Sequence, residues 1–421
     1  MKNKKYLLSA AVAICIVVIA LVGYSIIFKG ATEEKPKTPI KIAVIFPLTG
    51  GFARHGLSIW EGVKYMVDKI NAKGGIDGHT IEMITYDDTS SATVGCTLFE
   101  KAIYKDEVLC IIGGYGSAIA GAECPVAENG KTPFLPLGSV DIKMMQQGYK
   151  YVFRIPPDAY ACGIEPAKFI LYIYQKRDPT IKRIWLSGTT SSRASLDQVS
   201  VVENMTKAAG LEVMREDFQT GITDVHPIVE RMKAFNPDVV HFVHYYEESV
   251  LLAKTILELG VKPKMILGAW GMGQLEFMDF FGPLIEYWFA GVVWSPDSTY
   301  DGSQEFVNDF SREWGHLPDY HQAYGVAGVM VLEAAVKNLI SNGKELTRDN
   351  LMLALEQVEI DTPLCAVKFS KTPNEHPLGE LHQNLLARTV AVQIRNGTWV
   401  TFWPPEASAN PEGFIYPIPW K

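Results

Sequence analysis

The run Ile70-Asn71-Ala72-Lys73-Gly74-Gly75-Ile76-Asp77-Gly78-His79, continued by Ile81-Glu82-Met83-Ile84-Thr85-Tyr86-Asp87-Asp88, decides how this chain folds. Ahead of it lie an apolar strand, Ile42 to Phe46, and the loop Pro47-Leu48-Thr49-Gly50-Gly51. A helix follows, with Ile59, Val63, Met66, Val67 and Ile70 on one face. Gly74-Gly75 stops that helix, because a C-cap needs the positive φ that glycine adopts without steric penalty. Asp77-Gly78 then turns the chain into a second strand ending at Asp87-Asp88. Strand, loop, helix, turn, strand is a βαβ unit, the building block of a parallel sheet with ligands at the strand C-termini.

The rhythm recurs. Val108 to Ile112 ends in Gly113-Gly114-Tyr115-Gly116-Ser117, and Phe134 to Leu137 ends in Gly138-Ser139-Val140-Asp141. Tyr151 to Arg154 then meets Pro156-Pro157, where two missing backbone donors stop any sheet. A second series follows. Arg183 to Leu186 feeds a loop ending at Ser192, Asp238 to Val243 feeds His244-Tyr245-Tyr246, and Lys264 to Leu267 feeds Gly268-Ala269-Trp270-Gly271. Continuous apolar strands between amphipathic helices imply parallel sheets covered on both faces. Ala391 to Ile394 and Thr398 to Phe402, joined at Asn396-Gly397, read as a hairpin.

At 421 residues the chain is long enough for two domains. Its formal net charge is −8, and residues 1–29 carry Lys2, Lys4, Lys5 and Lys29 with no acid, so the body is more acidic still. An acidic body without a basic stripe argues against nucleic acid as a partner. The uncharged run Tyr6 to Phe28 would span roughly 35 Å as a helix, enough to cross a bilayer. It leaves through Tyr24-Ser25-Ile26-Ile27-Phe28, a poor cleavage site, which favours an uncleaved membrane anchor over a cleaved signal. Positive charge ahead of it puts residues 1–5 in the cytoplasm and the body outside. Residues 29–39 read as a solvated tether. The body then lies on the extracellular face of the membrane, or is periplasmic or secreted if the segment is cleaved. Cys96 and Cys124, on the helices after the second and third strands, are close enough in a doubly wound sheet for a disulfide to be geometrically possible.

Enzymatic motifs fail one after another. Gly130-Lys131-Thr132 has Pro125 where a phosphate loop needs glycine, and it runs from helix to strand. No nucleophile elbow or dinucleotide fingerprint occurs, so a hydrolase or dehydrogenase is a poor reading. His241 and His244, three apart on a strand, point to opposite faces and cannot easily share a metal; His241 is read as packed and His244 as facing a cleft. No cofactor or metal is expected. Trp288, Phe289, Trp294 and Trp314 read as core and hinge packing. What survives is binding in small, polar, Gly-containing loops at strand ends, where backbone N–H groups favour an anion. Ser117 and Ser139 either receive a carboxylate there or merely cap helices.

Pro47-Leu48-Thr49-Gly50, Glu61-Gly62, the Ile70–Gly78 run, Tyr86-Asp87-Asp88, Ile111-Ile112-Gly113-Gly114 with Ser117, Gln147-Gly148-Tyr149 and His321-Gln322-Ala323-Tyr324-Gly325 carry a resemblance. Over roughly residues 40–400 the chain resembles the Leu/Ile/Val-binding proteins, type I solute-binding proteins of ABC importers. The resemblance implies an α/β fold of two interleaved, doubly wound parallel-sheet lobes joined by three hinge crossings. Lobe one would be 40–157 plus 295–362 and lobe two 158–294 plus 363–421, with crossings at Pro156-Pro157, at Val292–Trp294 and at Pro363–Phe369. It implies a small-molecule ligand in the inter-lobe cleft and ABC permease and ATPase subunits as partners. The same fold also serves ligand-sensing receptor ectodomains, which here would need a partner protein. Candidate ligand contacts are Tyr115, Ser117, Ala118, Gly138, Ser139, Ser192, Tyr245 and Trp270. Trp270 stands where amino-acid binders carry a glutamate for the α-ammonium, and Ser192 where they often have a tyrosine. A buried ammonium without a charged partner is costly. Trp270 with Tyr245 and Tyr246 suggests a flat or aromatic carboxylate, or a cation over π systems; Asp141, His244 or Glu247 are the other groups that could supply charge.

Overall fold

The structure, a computed structural model, describes residues 37–420. The expected membrane segment and most of the tether lie outside the described residues. β1 (Ile40–Phe46), α1 (Ala53–Ala72) and β2 (Ile81–Asp87) form the βαβ unit, with β1 and β2 parallel. Gly74 and Gly75 take φ of 95° and 83° at the helix end. α2 (Ala92–Tyr104), β3 (Cys110–Tyr115), α3 (Ser117–Asn129) and β4 (Phe134–Gly138) complete a parallel sheet in the order β2-β1-β3-β4. The short α4 (Ile142–Met145) precedes the first crossing.

The second sheet is built from α5 (Ala159–Tyr172), β5 (Arg183–Gly188), α6 (Arg193–Ala208), β6 (Glu212–Arg215), α7 (His226–Phe235), β7 (Val239–His244), α8 (Tyr246–Glu258), β8 (Met265–Trp270), α9 (Leu275–Phe281) and β9 (Phe289–Val292). The chain returns to lobe one through α10 (Ser303–Trp314), α11 (Tyr320–Ser341), α12 (Arg348–Leu355) and the small pair β10 (Glu359–Ile360) and β11 (Val367–Lys368). It ends in lobe two with the hairpin β12 (Val390–Arg395) and β13 (Thr398–Trp403). The strand order there is β13-β12-β9-β8-β7-β5-β6, parallel from β6 to β9 and antiparallel in the two hairpin strands. This is a doubly wound α/β architecture in two lobes.

The third crossing comes later than Pro363–Phe369. Leu364, Cys365, Val367 and Phe369 are all buried in the first lobe's core, and Phe369 packs edge-on to Phe153 at 5.3 Å. Asn384 still donates to the Ile155 carbonyl at 3.2 Å. Only at Val390, which pairs with Val292, has the chain joined the second sheet. The apolar run 363–369 satisfies lobe one's core rather than a hinge, so residues 363–384 belong with the first lobe.

Cys96 and Cys124 do lie on adjacent helices, but no disulfide joins them. All five described cysteines are free; the Cys96 thiol donates to the Ala122 carbonyl at 3.3 Å, while Cys124 is packed in the core beside Phe99.

Two quoted motifs meet in space. A Cβ on Gly62 would lie 2.1 Å from the Gln322 carbonyl oxygen, and one on Gly325 would lie 2.3 Å from the Ile59 carbonyl oxygen. α1 and α11 therefore touch backbone to backbone, a contact only glycine permits at both places. Gln322 also donates to Glu61 at 3.0 Å across the same interface. Gly62→Ala should cost about 1–3 kcal/mol, the range for overpacking a filled core. Urea unfolding would measure it; a variant as stable as the wild type would show that the helices separate easily.

His244 does not face the cleft. It is fully buried, stacks on Phe218 at 3.9 Å and shares a 2.8 Å hydrogen bond with the Ser187 hydroxyl. Burial pushes its imidazole down to about 3, as it pushes His241, bonded to the Leu267 carbonyl at 2.8 Å, to about 4. An unfolded histidine titrates near ~6.5, so the unfolded chain binds more protons between there and the folded value. The wild type therefore loses His244's contribution as pH falls through that window, whereas His244→Gln has nothing to lose. The stability deficit of His244→Gln should shrink between pH 7 and pH 5 in matched urea melts. A deficit independent of pH would mean that the ring titrates in the fold as it does in the unfolded chain, and one that grew as pH fell would mean that the buried ring carries a proton.

Candidate functional site

The strand ends of both sheets open onto one cavity of about 460 Å³ between the lobes, within the size range of small-molecule sites. On lobe one, Gly116 caps α3 with φ of 86° and no side chain. Its carbonyl accepts from Ile119 and Ala120, so the amides of Ser117 and Ala118 in the first turn have no intrahelical acceptor. Ser117, Ala118 and Gly138 line the cavity. Gly138 sits beside Tyr115, where a Cβ would come within 2.3 Å of the tyrosine ring.

Ser139 does not line it. Fully buried, it donates from Oγ to the Ser117 Oγ at 3.3 Å. That bond occupies the Ser117 oxygen and leaves the Ser117 hydroxyl hydrogen free to point at a ligand. Ser117 makes no capping bond of its own at the start of α3. Tyr115 also lines the cavity, stacked against His55 at 5.1 Å and edge-on to Phe52 at 5.7 Å. Burial, then the neighbouring His321 and Arg54, pushes His55 down to about 3, so this wall is neutral.

Lobe two contributes Ser192, Tyr245 and Trp270. The Tyr245 and Trp270 rings lie 5.2 Å apart, tilted by 44°. Trp270 adopts φ 57° and ψ −100°, a conformation bulky residues avoid. A Cβ on the next residue, Gly271, would lie 2.6 Å from the Tyr245 carbonyl, so a tight approach of the two loops forces the turn at Trp270. Among the described residues, Asp141 and Arg193 are the charged side chains in the lining, His55 being neutral. Asp141 accepts from the Lys143 amide at 3.0 Å, and Arg193 pairs with Asp197 at 2.8 Å. Glu247 is exposed and outside the lining.

Sequence reasoning missed Phe52, His55, Gln198, Tyr320, Tyr324 and Thr389, all of which line the cavity. Phe52 and His55 follow the Pro47–Gly51 loop at the end of β1, and the strand-end rule that selected Ser117 applies to them equally. Gln198 lies within a helix and Thr389 in a crossing, and neither carries a motif, whereas Tyr320 adjoins and Tyr324 belongs to the His321–Gly325 motif at the start of α11.

Asp158, His376 and Glu380 are grouped closely enough to hold a metal ion. Each ring nitrogen of His376 already faces a carboxylate, Asp158 at 3.2 Å and Glu380 at 3.3 Å, and Arg154 donates to Glu380 at 2.7 Å. Burial pushes Glu380 up to about 9 against the pull of Arg154. Burial also pushes on Asp158, but hydrogen bonds from His376 and Glu380 and the Arg154 charge hold it well below the usual range. One guanidinium, one carboxylate and one shared proton balance, which makes this a self-neutralising ion-pair network.

The periplasmic binding protein family profile matches residues 39–383. Leu/Ile/Val-binding protein homolog 4 of Brucella melitensis is 26% identical over 347 residues, covering 80% of each chain. Among solved structures, the branched-chain amino acid substrate-binding protein of Streptococcus pneumoniae in complex with isoleucine aligns with a TM-score of 0.72 at 18% identity, over 90% of this chain and all (100%) of that one. A solute-binding protein of an ABC transporter from Rhodopseudomonas palustris, in complex with 3,4-dihydroxybenzoic acid, aligns with a TM-score of 0.70 at 19% identity, over 86% and 95%. The two lobes, the cleft between their strand ends and the extent of the profile match lead to one conclusion: the chain belongs to the periplasmic binding protein family, whose members are solute-binding proteins.

Proposed function

We propose that this protein is the extracytoplasmic substrate-binding component of an ABC importer, and that its ligand is a small carboxylate with a flat, aromatic body. Trp270 carries the reading. It is held in a strained backbone conformation at the cavity wall, and strain of this kind persists where the surroundings over-determine it, often at ligand clamps. With Tyr245 it offers a face for stacking. The first-turn amides and hydroxyl at Ser117 suit a carboxylate across the cleft. The dihydroxybenzoate bound by the Rhodopseudomonas palustris protein has the same chemistry. Asp141 supports a second reading, an ordinary α-amino acid, because its carboxylate is in the lining and could face an ammonium.

Titration of the purified protein with leucine, isoleucine and valine beside aromatic carboxylates of similar size separates the two. Aromatic carboxylates should bind and the branched amino acids bind poorly, since desolvating their ammonium is not offset near Trp270. Ser117→Ala should weaken a bound carboxylate by about 1–3 kcal/mol by leaving an oxygen unpaired. Trp270→Glu should lower aromatic affinity and raise that for leucine. Sub-micromolar leucine binding with aromatics ignored would sink the proposal and restore the amino-acid reading.

A further inference from the structure

Two polar side chains in the cavity wall carry a buried polar atom with no partner among the described residues, and neither belongs to the Ser117 loop of lobe one. Gln198, in the second turn of α6, is 2% exposed, yet its amide nitrogen bonds nothing among the described residues. Thr389, the residue before β12, is 5% exposed, and its hydroxyl is equally unpartnered. Both line the cavity. Buried polar side chains nearly always find a partner, so two exceptions in one cavity wall need a cause. Their neighbours in the lining do not provide one: Cys162, Pro166, Gly291 and Val292 offer little beyond a thiol and apolar surface. A close approach of α5 to α6, where a Cβ on Gly163 would lie 2.6 Å from the Gln198 carbonyl, holds this wall in place.

We propose that Gln198 and Thr389 form a second hydrogen-bonding subsite, which takes a hydroxyl or carbonyl group on the part of the ligand remote from its carboxylate. The inference rests on the reading that a carboxylate is held at Ser117. A primary amide donates and accepts, and a threonine hydroxyl does both, so the pair matches a neutral group that does the same. It does not match a second carboxylate, because Arg193, the cationic side chain in the lining, is engaged with Asp197. Nor does it match a hydrocarbon end such as that of leucine, which would leave both groups unpaired in the closed cleft. Sites built to hydrogen-bond a ligand hydroxyl reject the analogue lacking it far more strongly than apolar pockets discriminate by size.

The test compares the full-length protein with Gln198→Met and Thr389→Val, using benzoate and 4-hydroxybenzoate as calorimetric probes and thermal melting of each ligand-free protein. The wild type should prefer 4-hydroxybenzoate by about tenfold or more. Each variant should lose most of that preference, because it neither leaves a polar group unpaired opposite benzoate nor offers one to the phenol. Neither variant should melt lower than the wild type, because an unpaired buried polar group has been replaced by an apolar one of similar size. A preference that survives both substitutions would overturn the subsite. So would a marked fall in melting temperature, which would reveal a structural partner. If the wild type binds neither probe, the aromatic-carboxylate reading fails, and melting alone decides the subsite: unchanged or raised temperatures support it, and lowered ones refute it.

Discussion

A single guanidinium at the first crossing organises the rest. Arg154 has no solvent exposure, and a charge so placed must be met by opposite charge and hydrogen bonds or it destabilises the fold by several kcal/mol, roughly 3–5 when one partner is lost. Its partners reach in three directions. Nη1 donates to the Asp141 carbonyl in the cavity loop after β4, Nε to the Gln383 side chain, and Nη2 to Glu380. Glu380 and His376 then hold Asp158, whose side chain caps the first helix of lobe two through the Ala161 amide. One buried charge thus ties the ligand loop of lobe one, the segment 376–384 and the entry to lobe two into a rigid junction.

Closure across the cleft mouth rests on much less. Arg54 of α1 pairs with Glu276 of α9 and reaches Gln274 at 3.4 Å. Both ion-pair partners are nearly half exposed, so solvent and salt screen the contact heavily and such pairs contribute little. A latch this weak cannot hold two lobes together by itself. Between the lobes, Ser117 and Ala118 from one side and Tyr245 and Trp270 from the other line one cavity, where a ligand would add its contacts. That arrangement suits a hinge protein whose closed population depends on its ligand.

Most of the fold was legible because its determinants are local. The glycines at 74 and 75, the Asn396-Gly397 turn and the apolar strand runs act within a few residues, and each element formed where those signals placed it. The third crossing was misread because apolar content marks burial without saying in which lobe. Leu364 to Phe369 fill lobe one's core from the far end of the chain, a long-range choice invisible in the segment itself. His244 was misread for a related reason. Strand alternation gives opposite faces, but in a sheet covered on both sides neither face is open, and Phe218 from another loop closes over the ring. In the site, loop residues followed from strand-end logic, whereas Ser139 turned out to support Ser117 from behind. The α6 and crossing residues of the cavity had no signature, because their place in the wall depends on how two lobes meet.

The free protein carries local costs at its cleft. Trp270 is strained, and the Gln198 amide nitrogen and Thr389 hydroxyl bond nothing among the described residues. Each is tolerable because the cores beneath are well packed; β1, β4, β5 and β7 bury all of their apolar side chains. The unmet hydrogen bonds are satisfied when a complementary molecule supplies the missing partners. Ligand affinity and closed-state stability are then one linked quantity, since a molecule that binds only the closed form stabilises it by mass action. The division between lobes follows. On the proposed reading, lobe one presents backbone donors that suit any carboxylate, while the groups that would distinguish one carboxylate from another sit on lobe two and the last crossing.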